Sequence, residues 1–535
     1  MKARKHQPWD EATQRGGLWH PRRSRVRRRL TRALAAIAAL LALAVVVVPL
    51  IPPDSDGTKA AARPRGAAAA DVTIALAAHG KAVPIPASFL GLSTEYWALP
   101  RFEQHPGVLT RVLSMLHVPG DGPLVLRVGG DSADHTFWEP TPPDRGHWVF
   151  GLTPQWVTRT GALVRHSQVK LIIDLNLLTG SPFTAARWVS VADRALPDGA
   201  IAGFEIGNEP DIYSRTYWLA IVSHSEFGAG MLPQRLSATQ YASDFVTYAK
   251  AIRQIAPRVP LLGPALAHPS RNAYWLPRLL SVARADLSVV TAHRYPFSAC
   301  AKPRSRVYPT IARILSEEAS AGMASAVAGI VRIAHKDGLP LRLTEMNSVT
   351  CGGRLGVSDT FATALWAPDA LFELLRVGVD GVNVHVRAEA INAAFIMNNR
   401  GLSARPLLYG LAMFARALGP HGSQLEPLRI AAVHPVHVKA WAVRTGSGFH
   451  VLLINKGGRS ASVALRLPTT APANVQRLTA PSASSPSGVT LAGQQLGADG
   501  RWHGPRDSQT IAPTKGAYRV TVPAISAALV RVSTS

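Results

Sequence analysis

Two stretches of this chain place a glutamate at or near the end of an apolar run. The first is residues 203–211, Gly-Phe-Glu-Ile-Gly-Asn-Glu-Pro-Asp, and the second is residues 341–348, Leu-Arg-Leu-Thr-Glu-Met-Asn-Ser. Both patterns are typical of a short buried strand that ends in polar residues. If the two strands belong to one parallel barrel, Glu209 and Glu345 emerge on the same face, where the active sites of such barrels form.

A pair of carboxyl groups about 5 Å apart can cleave a glycosidic bond with retention of configuration. One group must be protonated to release the leaving oxygen, while the other must be ionised to attack the anomeric carbon. We therefore interpret Glu209 as the general acid/base and Glu345 as the nucleophile. Two alternatives stay open at this point: an Asn-Glu-Pro turn that only caps a loop, and a strand-end carboxylate at Glu345 with a structural role.

Other polar residues at the expected strand ends are candidates for contacts with a sugar or with the nucleophile. Asn208 can hydrogen-bond a sugar 2-hydroxyl. His293 and Tyr295 close the sixth candidate strand, where they can orient the nucleophile, although His293 could equally be a core histidine. Asp131 and Glu95 lie at the ends of the second and first candidate strands, where they could bind sugar hydroxyls; ordinary loop packing is the alternative for Glu95.

Two charged residues are expected to be buried ion-pair partners. Arg127 precedes two glycines on the second candidate strand, and a carboxylate, the nucleophile among the candidates, is its expected partner. Glu205 lies in the middle of its strand and could point into the barrel as a structural partner.

The middle of the chain alternates apolar runs with segments of helical spacing. This rhythm predicts an α/β fold, a (β/α)8 TIM barrel over residues 88–420. The eight candidate strands are 88–93, 123–130, 169–176, 201–207, 260–267, 287–294, 340–346 and 381–386. Segments with helical spacing include 155–167, 183–195, 239–256, 310–337 and 361–377. The longest interruption, 211–238, is expected to be an active-site loop with a short helix.

The pattern changes after residue 420. Short alternating runs separated by Gly, Pro and Ser predict an antiparallel β-sandwich over residues 421–535. Residues 71–87 also have a strand pattern, and we expect this segment to pair with the sandwich rather than with the barrel.

The N-terminal region has the pattern of a membrane anchor. A basic arm at 1–32 precedes residues 33–51, which carry no charge and are rich in Ala, Leu and Val. At about 1.5 Å per residue this run is just long enough to cross the hydrocarbon core. The arginines on its N-terminal side predict a cytoplasmic N-terminus and a catalytic domain outside the cytoplasmic membrane. Residues 52–70 are expected to be a linker. The alternative is a cleaved signal peptide and a secreted protein.

The composition narrows the set of partners. The formal charge of +25 is compatible with acidic substrates or an anionic surface, and equally with a generally basic proteome. No phosphate-binding loop, serine-nucleophile elbow or zinc-protease motif stands out. The arginine run at 22–29 is better explained as a topology signal than as a nucleic-acid site. We therefore expect no metal, no cofactor and no nucleic-acid partner.

The chain has only two cysteines, Cys300 and Cys351. They follow the sixth and seventh candidate strands, so their loops should be neighbours on the catalytic face. Outside the cytoplasm a disulfide between them is expected, and it would fix the loop at 350–353. Two unrelated buried thiols are the alternative.

Taken together, these motifs resemble glycoside hydrolase family 79, which contains β-glucuronidases and heparanase. The resemblance rests on the Asn-Glu-Pro-Asp at 208–211, the His-Arg-Tyr-Pro at 293–296, and the Thr-Glu-Met-Asn-Ser at 344–348 with the Cys-Gly-Gly that follows. It covers roughly residues 71–535; the N-terminal anchor lies outside the family pattern. It implies a clan A retaining mechanism with Glu209 as acid/base and Glu345 as nucleophile.

The resemblance also implies roles for substrate-binding residues. Asn208 would hold the 2-hydroxyl, and Tyr295 would lie beside the nucleophile. Gly352 and Gly353 match the glycine amides that hold the uronate carboxylate in that family, and backbone donors can bind a carboxylate without Lys or Arg.

The expected function is therefore an exo-acting, membrane-anchored β-glucuronidase on a uronate-containing glycan. The alternatives are another clan A retaining β-glycosidase or arabinofuranosidase, and an inactive anchored protein that only binds glycans.

Overall fold

The computed structural model describes residues 70–138, 150–213 and 236–534. The predicted basic arm, membrane span and nearly all of the linker lie outside these residues, as does most of the predicted active-site loop at 211–238. Within the described part of the chain, no helix combines the length and the apolar character needed to cross a bilayer.

The strands are numbered in chain order. They are β1 (Val72–Leu76), β2 (Val83–Pro84), β3 (Leu90–Glu95), β4 (Val125–Gly129), β5 (Thr136–Trp138), β6 (Phe150–Leu152), β7 (Lys170–Leu175), β8 (Ile201–Ile206), β9 (Leu261–Leu266), β10 (Leu287–Arg294), β11 (Phe297–Ser298), β12 (Leu341–Met346), β13 (Val349–Thr350), β14 (Gly381–His385), β15 (Phe395–Asn398), β16 (Gly401–Ala404), β17 (Gln424–Glu426), β18 (Leu428–Ala432), β19 (Val438–Thr445), β20 (Gly448–Asn455), β21 (Ala461–Arg466), β22 (Ala473–Thr479), β23 (Thr490–Leu491), β24 (Gln495–Leu496), β25 (Trp502–His503), β26 (Gln509–Ile511), β27 (Tyr518–Val522) and β28 (Ser526–Ser533).

The α-helices are α1 (Leu99–Phe102), α2 (Pro106–Leu116), α3 (Pro154–Ser167), α4 (Pro182–Ala195), α5 (Ala238–Arg253), α6 (Trp275–Ala283), α7 (Ile311–Ile314), α8 (Ala321–Lys336), α9 (Phe361–Arg376) and α10 (Pro406–Ala417). Short 3-10 helices occur at Gly130–His135, Pro210–Ile212 and Glu317–Ala319.

Eight parallel strands close into a barrel in the order β3, β4, β7, β8, β9, β10, β12 and β14. The ring closes where β14 pairs with β3, with His385 opposite Ser93. The predicted TIM barrel is confirmed, and each predicted strand overlaps an observed one. Strand β12 is buried along its whole length, as expected for a parallel strand with a packed interior on one side and helices on the other.

Local sequence signals explain where the barrel helices begin. Helix α4 begins after Ser181, whose hydroxyl accepts from the backbone N–H of Thr184, while the Thr184 hydroxyl accepts from the backbone N–H of Ser181. This reciprocal capping box satisfies two N–H groups that would otherwise lack partners. Proline occupies the first helical turn of α4, where its missing N–H and fixed φ are tolerated.

The segment at 310–337 was predicted as one helical region, and this prediction is wrong in detail. The structure divides it into α7, the 3-10 turn Glu317–Ala319 and α8. Ser316 adopts an extended conformation with ψ of 161°, which interrupts the helical path. Serine favours such helix ends because its hydroxyl competes for backbone hydrogen bonds.

The C-terminal domain consists of two β-sheets that share a buried apolar core. One sheet has the order β18-β1-β21-β27, and the other has the order β2-β17-β19-β20-β28-β22-β23 with β26 paired to β22. The predicted β-sandwich is confirmed. Strand β1 lies between β18 and β21, antiparallel to the first and parallel to the second, so the first described strand completes a sheet of the last domain.

A buried charged and aromatic cluster joins the sandwich to helix α9 of the barrel. The Trp441 ring stacks on Phe372 with ring centroids 5.5 Å apart, and its indole N–H donates to Asp369 at 3.0 Å. The same aspartate pairs with the ammonium group of Lys456 at 2.5 Å, and both side chains are nearly inaccessible to solvent. Lys439 contributes a further ion pair to Glu373 of α9 at 2.7 Å.

Candidate active site

The two predicted catalytic glutamates meet at the carboxyl end of the barrel. Glu345 lies on β12, and Glu209 follows β8 at the start of a short 3-10 turn. Carboxylate oxygens of the two residues and a ring nitrogen of His293 all lie within 4.8 Å of one another. This separation matches retaining glycosidases and leaves no room for the extra water that an inverting enzyme needs.

The backbone around Glu209 is held by contacts with the end of β9 and with the loop that follows it. Glu209 has a left-handed conformation with φ of 50°, and its N–H donates to the carbonyl of Ala265 at 3.2 Å. Asp211 accepts from the backbone N–H groups of Ala267 and His268 at 2.8 and 3.0 Å. These bonds compensate for a strained conformation, which typically persists only where the surroundings impose it.

Glu209 has the protonation behaviour of a general acid. Burial raises its pKa to about 7, and the negative charge of Glu345 acts in the same direction. His293 opposes the shift through a hydrogen bond from its Nδ1 side to Glu209 Oε1 at 3.0 Å. A carboxyl group with a pKa near 7 can both give and take a proton near neutral pH.

Glu345 has the opposite electrostatic environment. Burial alone would raise its pKa, but His385, His293 and Arg127 together lower it well below the usual value. Tyr295 donates its hydroxyl hydrogen to Glu345 Oε1 at 2.7 Å, and Arg127 donates to Oε2 at 3.0 Å. The side chain is therefore ionised and oriented, as a nucleophile must be.

Arg127 connects the nucleophile to three other buried groups. Its guanidinium donates to Glu205 at 2.6 Å, to Asp174 at 2.8 Å and to Asn208 at 3.0 Å. Thr344 also donates to Glu205, at 2.7 Å. Arg127 and Glu205 therefore occupy the buried ion-pair positions expected from the sequence, whereas the sequence did not single out Asp174.

The network around Arg127 also fixes the orientation of Asn208. Because Asn208 Oδ1 accepts from Arg127, its Nδ2 group is the part that can donate to a sugar hydroxyl. Asn208 itself is buried, directly before the acid/base in the chain.

The other two predicted hydroxyl-binding residues occupy different depths. Asp131 is half-exposed at the mouth, with an oxygen 4.0 Å from the guanidinium of Arg387. Glu95 is only 1% exposed, and one of its oxygens accepts from the backbone N–H of Ser132 at 2.9 Å. A Cβ on Gly130 would approach the Glu95 carboxylate to 2.7 Å, so the glycine makes room for it. Their contacts with a sugar remain predictions.

His385 is a site residue that sequence reasoning missed. It ends β14, where its Nδ1 lies 2.9 Å from the Tyr295 hydroxyl and 3.2 Å from Glu345 Oε1. Its Nε2 lies 3.5 Å from Glu95 Oε1. The available signal was a histidine at the end of the eighth candidate strand, a position where barrel enzymes place functional side chains.

The loop with the predicted uronate-binding glycines is fixed by a disulfide. Cys300 and Cys351 are bonded, with Cα atoms 6.0 Å apart, so the predicted disulfide is confirmed. The N–H of Gly353 donates within its own turn, to Thr350 at 3.3 Å, while the Gly352 carbonyl accepts from Asn392. A Cβ on Gly352 would meet no atom within 4 Å, and Gly353 is buried while Gly352 is partly exposed. Gly352 is therefore the more accessible of the two, and contact of either amide with a ligand stays a prediction.

Glu209, His293 and Glu345 are also the group in the described residues whose spacing could admit a metal ion. All three already take part in the hydrogen bonds that set the protonation of the acid and the nucleophile. The arrangement has the geometry and the protonation states that acid/base and nucleophilic chemistry require.

A family model for the "Glycosyl hydrolase family 79 C-terminal beta domain" matches residues 440–529. The chain carries the C-terminal domain of glycoside hydrolase family 79. This match confirms the resemblance predicted from the sequence motifs, and with it the class of protein, a glycoside hydrolase. No curated protein matches the chain in sequence.

Solved structures share the fold of the whole described molecule. A 4-O-α-L-rhamnosyl-β-D-glucuronidase from Fusarium oxysporum 12S superimposes with a TM-score of 0.70 at 18% identity, covering 86% of this chain and 100% of the enzyme. An α-L-arabinofuranosidase from Thermotoga maritima gives 0.61 at 16% identity, covering 87% and 100%. The family 44 endoglucanase Cel44A from Clostridium thermocellum gives 0.57 at 14% identity, covering 86% and 99%. At these identities the likeness establishes the fold alone.

Proposed function

We propose that this protein is a retaining, exo-acting β-glucuronidase that removes a terminal uronic acid from a glycan. The observation that carries the proposal is the pair formed by a protonated Glu209 and an ionised Glu345 with carboxylate oxygens within 4.8 Å. The family 79 domain supports the glucuronide as substrate class.

In the first half-reaction a Glu345 oxygen attacks the anomeric carbon while the bond to the leaving oxygen breaks. Glu209 gives its proton to that oxygen, so the leaving group departs as a neutral alcohol. The products of this step are a glycosyl ester on Glu345 and an ionised Glu209.

In the second half-reaction Glu209 takes a proton from water, and the water oxygen attacks the anomeric carbon. The ester bond breaks and the electrons return to Glu345 as a carboxylate. Two inversions give net retention, and Glu209 ends protonated, ready for another cycle. The Asn208 amide is positioned to hold the 2-hydroxyl during both steps, where such bonds strengthen in the transition state.

The test is hydrolysis of 4-nitrophenyl β-D-glucuronide by the full-length protein. Glu209→Gln and Glu345→Gln should each lower kcat by several orders of magnitude, because acid and nucleophile act as a unit. Glu389→Gln, which removes a carboxylate paired with Arg101 on the exposed surface, is the matched control and should retain activity. Full activity in either catalytic variant would refute the assignment.

A panel of aryl glycosides separates the proposed substrate from its alternatives. The fold is shared with α-L-arabinofuranosidases, so the panel should include the arabinofuranoside and neutral pyranosides. Faster hydrolysis of a neutral sugar would show that the uronate pocket is wrongly assigned. Sugar binding without turnover at any pH would identify a glycan-binding protein instead.

We also propose that residues 33–51 anchor the protein in the cytoplasmic membrane with the catalytic domain outside. The support is the uncharged apolar run that follows a cluster of arginines. Recovery in the membrane fraction and an intact N-terminus by mass spectrometry are expected. A mature N-terminus beyond residue 51 would show cleavage and secretion.

A further inference from the structure

We propose that His385 and Glu95 form a buried ion pair with two roles. Protonated His385 stabilises Glu345 while Glu345 is ionised, and Glu95 balances the charge of His385 while Glu345 is esterified. Both are positioning residues that act through Glu345. The proposal rests on the proposed function, since it concerns a glycosyl ester on Glu345.

The geometry places His385 between two carboxylates from different strands. Its Nδ1 side faces Glu345 Oε1 at 3.2 Å and the Tyr295 oxygen at 2.9 Å. Its Nε2 side faces Glu95 Oε1 at 3.5 Å. With both ring nitrogens protonated, His385 donates toward the nucleophile on one side, and on the other its charge faces Glu95 in an ion pair that is not a hydrogen bond.

The surrounding charges favour the protonated imidazole. Burial disfavours it, but Glu345 and Glu95 together raise the pKa of His385 to about 10. Arg387 is the next charge near Glu95, and Arg127 and His293 are the next charges near Glu345. Tyr295 stays neutral, because burial and the nearby carboxylates raise its pKa.

The reaction removes one of the two anions beside His385. When Glu345 becomes an ester its charge disappears, and a buried imidazolium without an anion would lose its proton. Glu95 lies on the other side and is untouched by the reaction. It therefore keeps His385 protonated, so that the carboxylate leaving in the second half-reaction regains a cation beside it.

The first experiment measures the protonation of His385 directly. The resonances of ¹⁵N-histidine-labelled full-length protein are assigned by their loss in His385→Gln. At about pH 8, where an unperturbed imidazole is neutral, His385 should be protonated in the wild type. Glu95→Gln should lower its titration midpoint by about 1 to 2 pH units, since one neighbouring anion is lost. An unchanged midpoint would overturn the proposal, whether or not the protein hydrolyses any glycoside.

The second experiment repeats this measurement on the trapped ester. 2-Deoxy-2-fluoro-β-D-glucuronosyl fluoride is used to esterify Glu345, with occupancy checked by intact mass. His385 should stay protonated in the trapped wild type and become neutral in trapped Glu95→Gln. A neutral His385 in the trapped wild type would overturn the proposal. Failure to label would instead count against the proposed function.

The third experiment uses kinetics. With 2,4-dinitrophenyl β-D-glucuronide the leaving group needs no acid, so breakdown of the ester limits kcat. Glu95→Gln should then show a burst of dinitrophenol and a kcat that falls about tenfold or more as pH rises from about 7 to 9. This range lies above the ordinary pKa of an imidazole, so the protonated fraction of His385 decreases about tenfold with each pH unit.

Two controls separate a charge effect from a packing effect. The double variant Glu95→Gln/His385→Gln should lose this pH-dependent fall, because no titrating group remains in the pair. Glu373→Gln changes a buried glutamate of the interface cluster and should leave the pH profile unchanged. A fall of the same shape in the double variant would assign the effect to packing and overturn the proposal.

Discussion

Glu209 combines a strained backbone with a shifted pKa, and both features cost stability. Its φ of 50° lies in the left-handed region, which costs a non-glycine residue about 1–3 kcal/mol. Its pKa of about 7 means that the folded protein keeps this carboxyl group protonated at pH values where the unfolded chain, with a pKa near 4, ionises it. The two features that suit Glu209 to acid/base chemistry therefore both lower the free energy of unfolding.

At the residue scale, Glu209→Gln should stabilise the protein in a pH-dependent way. Below about pH 4 the carboxyl is protonated in both states and the gain is small. As pH rises to 7 the unfolded state ionises while the folded state does not, which favours unfolding of the wild type. The gain of the variant should grow to at most about 4 kcal/mol and stay constant above pH 7.

Thermal unfolding of wild type and variant between about pH 4 and 8 tests this prediction. Glu389→Gln, whose carboxylate is largely exposed, should show no such trend. A variant that is uniformly less stable at every pH would contradict the raised pKa.

At the element scale, the disulfide ties together the loops that follow β10 and β12. The cysteines are 51 residues apart in sequence, and closing a loop of this size typically contributes about 2–4 kcal/mol to stability. The Cys300→Ser/Cys351→Ser variant should lose about this much stability. Because the same bond fixes the Gly352 loop, KM for the aryl glucuronide should rise more than kcat falls.

The comparison sugar for this prediction is the matched aryl β-glucoside, which lacks the uronate carboxylate. Its KM should change less than that of the glucuronide in the serine variant. An equal rise for both sugars would argue against a uronate-binding role for this loop.

The elements differ in how well the sequence predicts them. Barrel strands such as β7 and β12 were predictable because their apolar runs are short and bounded by polar residues. Glu209 and Glu345 were predictable because each ends or nearly ends such a run. His385 carried a sequence signal, its place at the end of the eighth candidate strand, but its pairing with Glu95 became visible only when ring closure brought β14 beside β3. The break at Ser316 was missed because helical spacing follows the apolar residues and does not register a serine whose hydroxyl donates to the Arg313 carbonyl.

At the scale of the whole molecule, the cluster around Asp369 couples the two domains. Asp369→Asn would leave the ammonium group of Lys456 buried without its anion. Loss of one partner of a buried ion pair typically costs about 3–5 kcal/mol. We expect a loss of this size by denaturant unfolding, with the catalytic pH profile unchanged because the cluster lies in the interface.

The control for this prediction is Glu389→Gln, which removes the largely exposed partner of Arg101. An exposed pair of this kind contributes about 0–1 kcal/mol. Equal losses of unfolding free energy in the two variants would show that burial does not increase the contribution of the Asp369 cluster to stability.

The position of β1 constrains how this protein can be made. Residues 72–76 pair with strands more than 350 positions later in the chain, so the sheet that holds them stays incomplete until synthesis is nearly finished. A ribosome that stops early releases a product with an open sheet edge, the kind of surface that recruits other chains. Holdase chaperones acting on the nascent chain should therefore matter more for its yield than the speed at which its barrel forms.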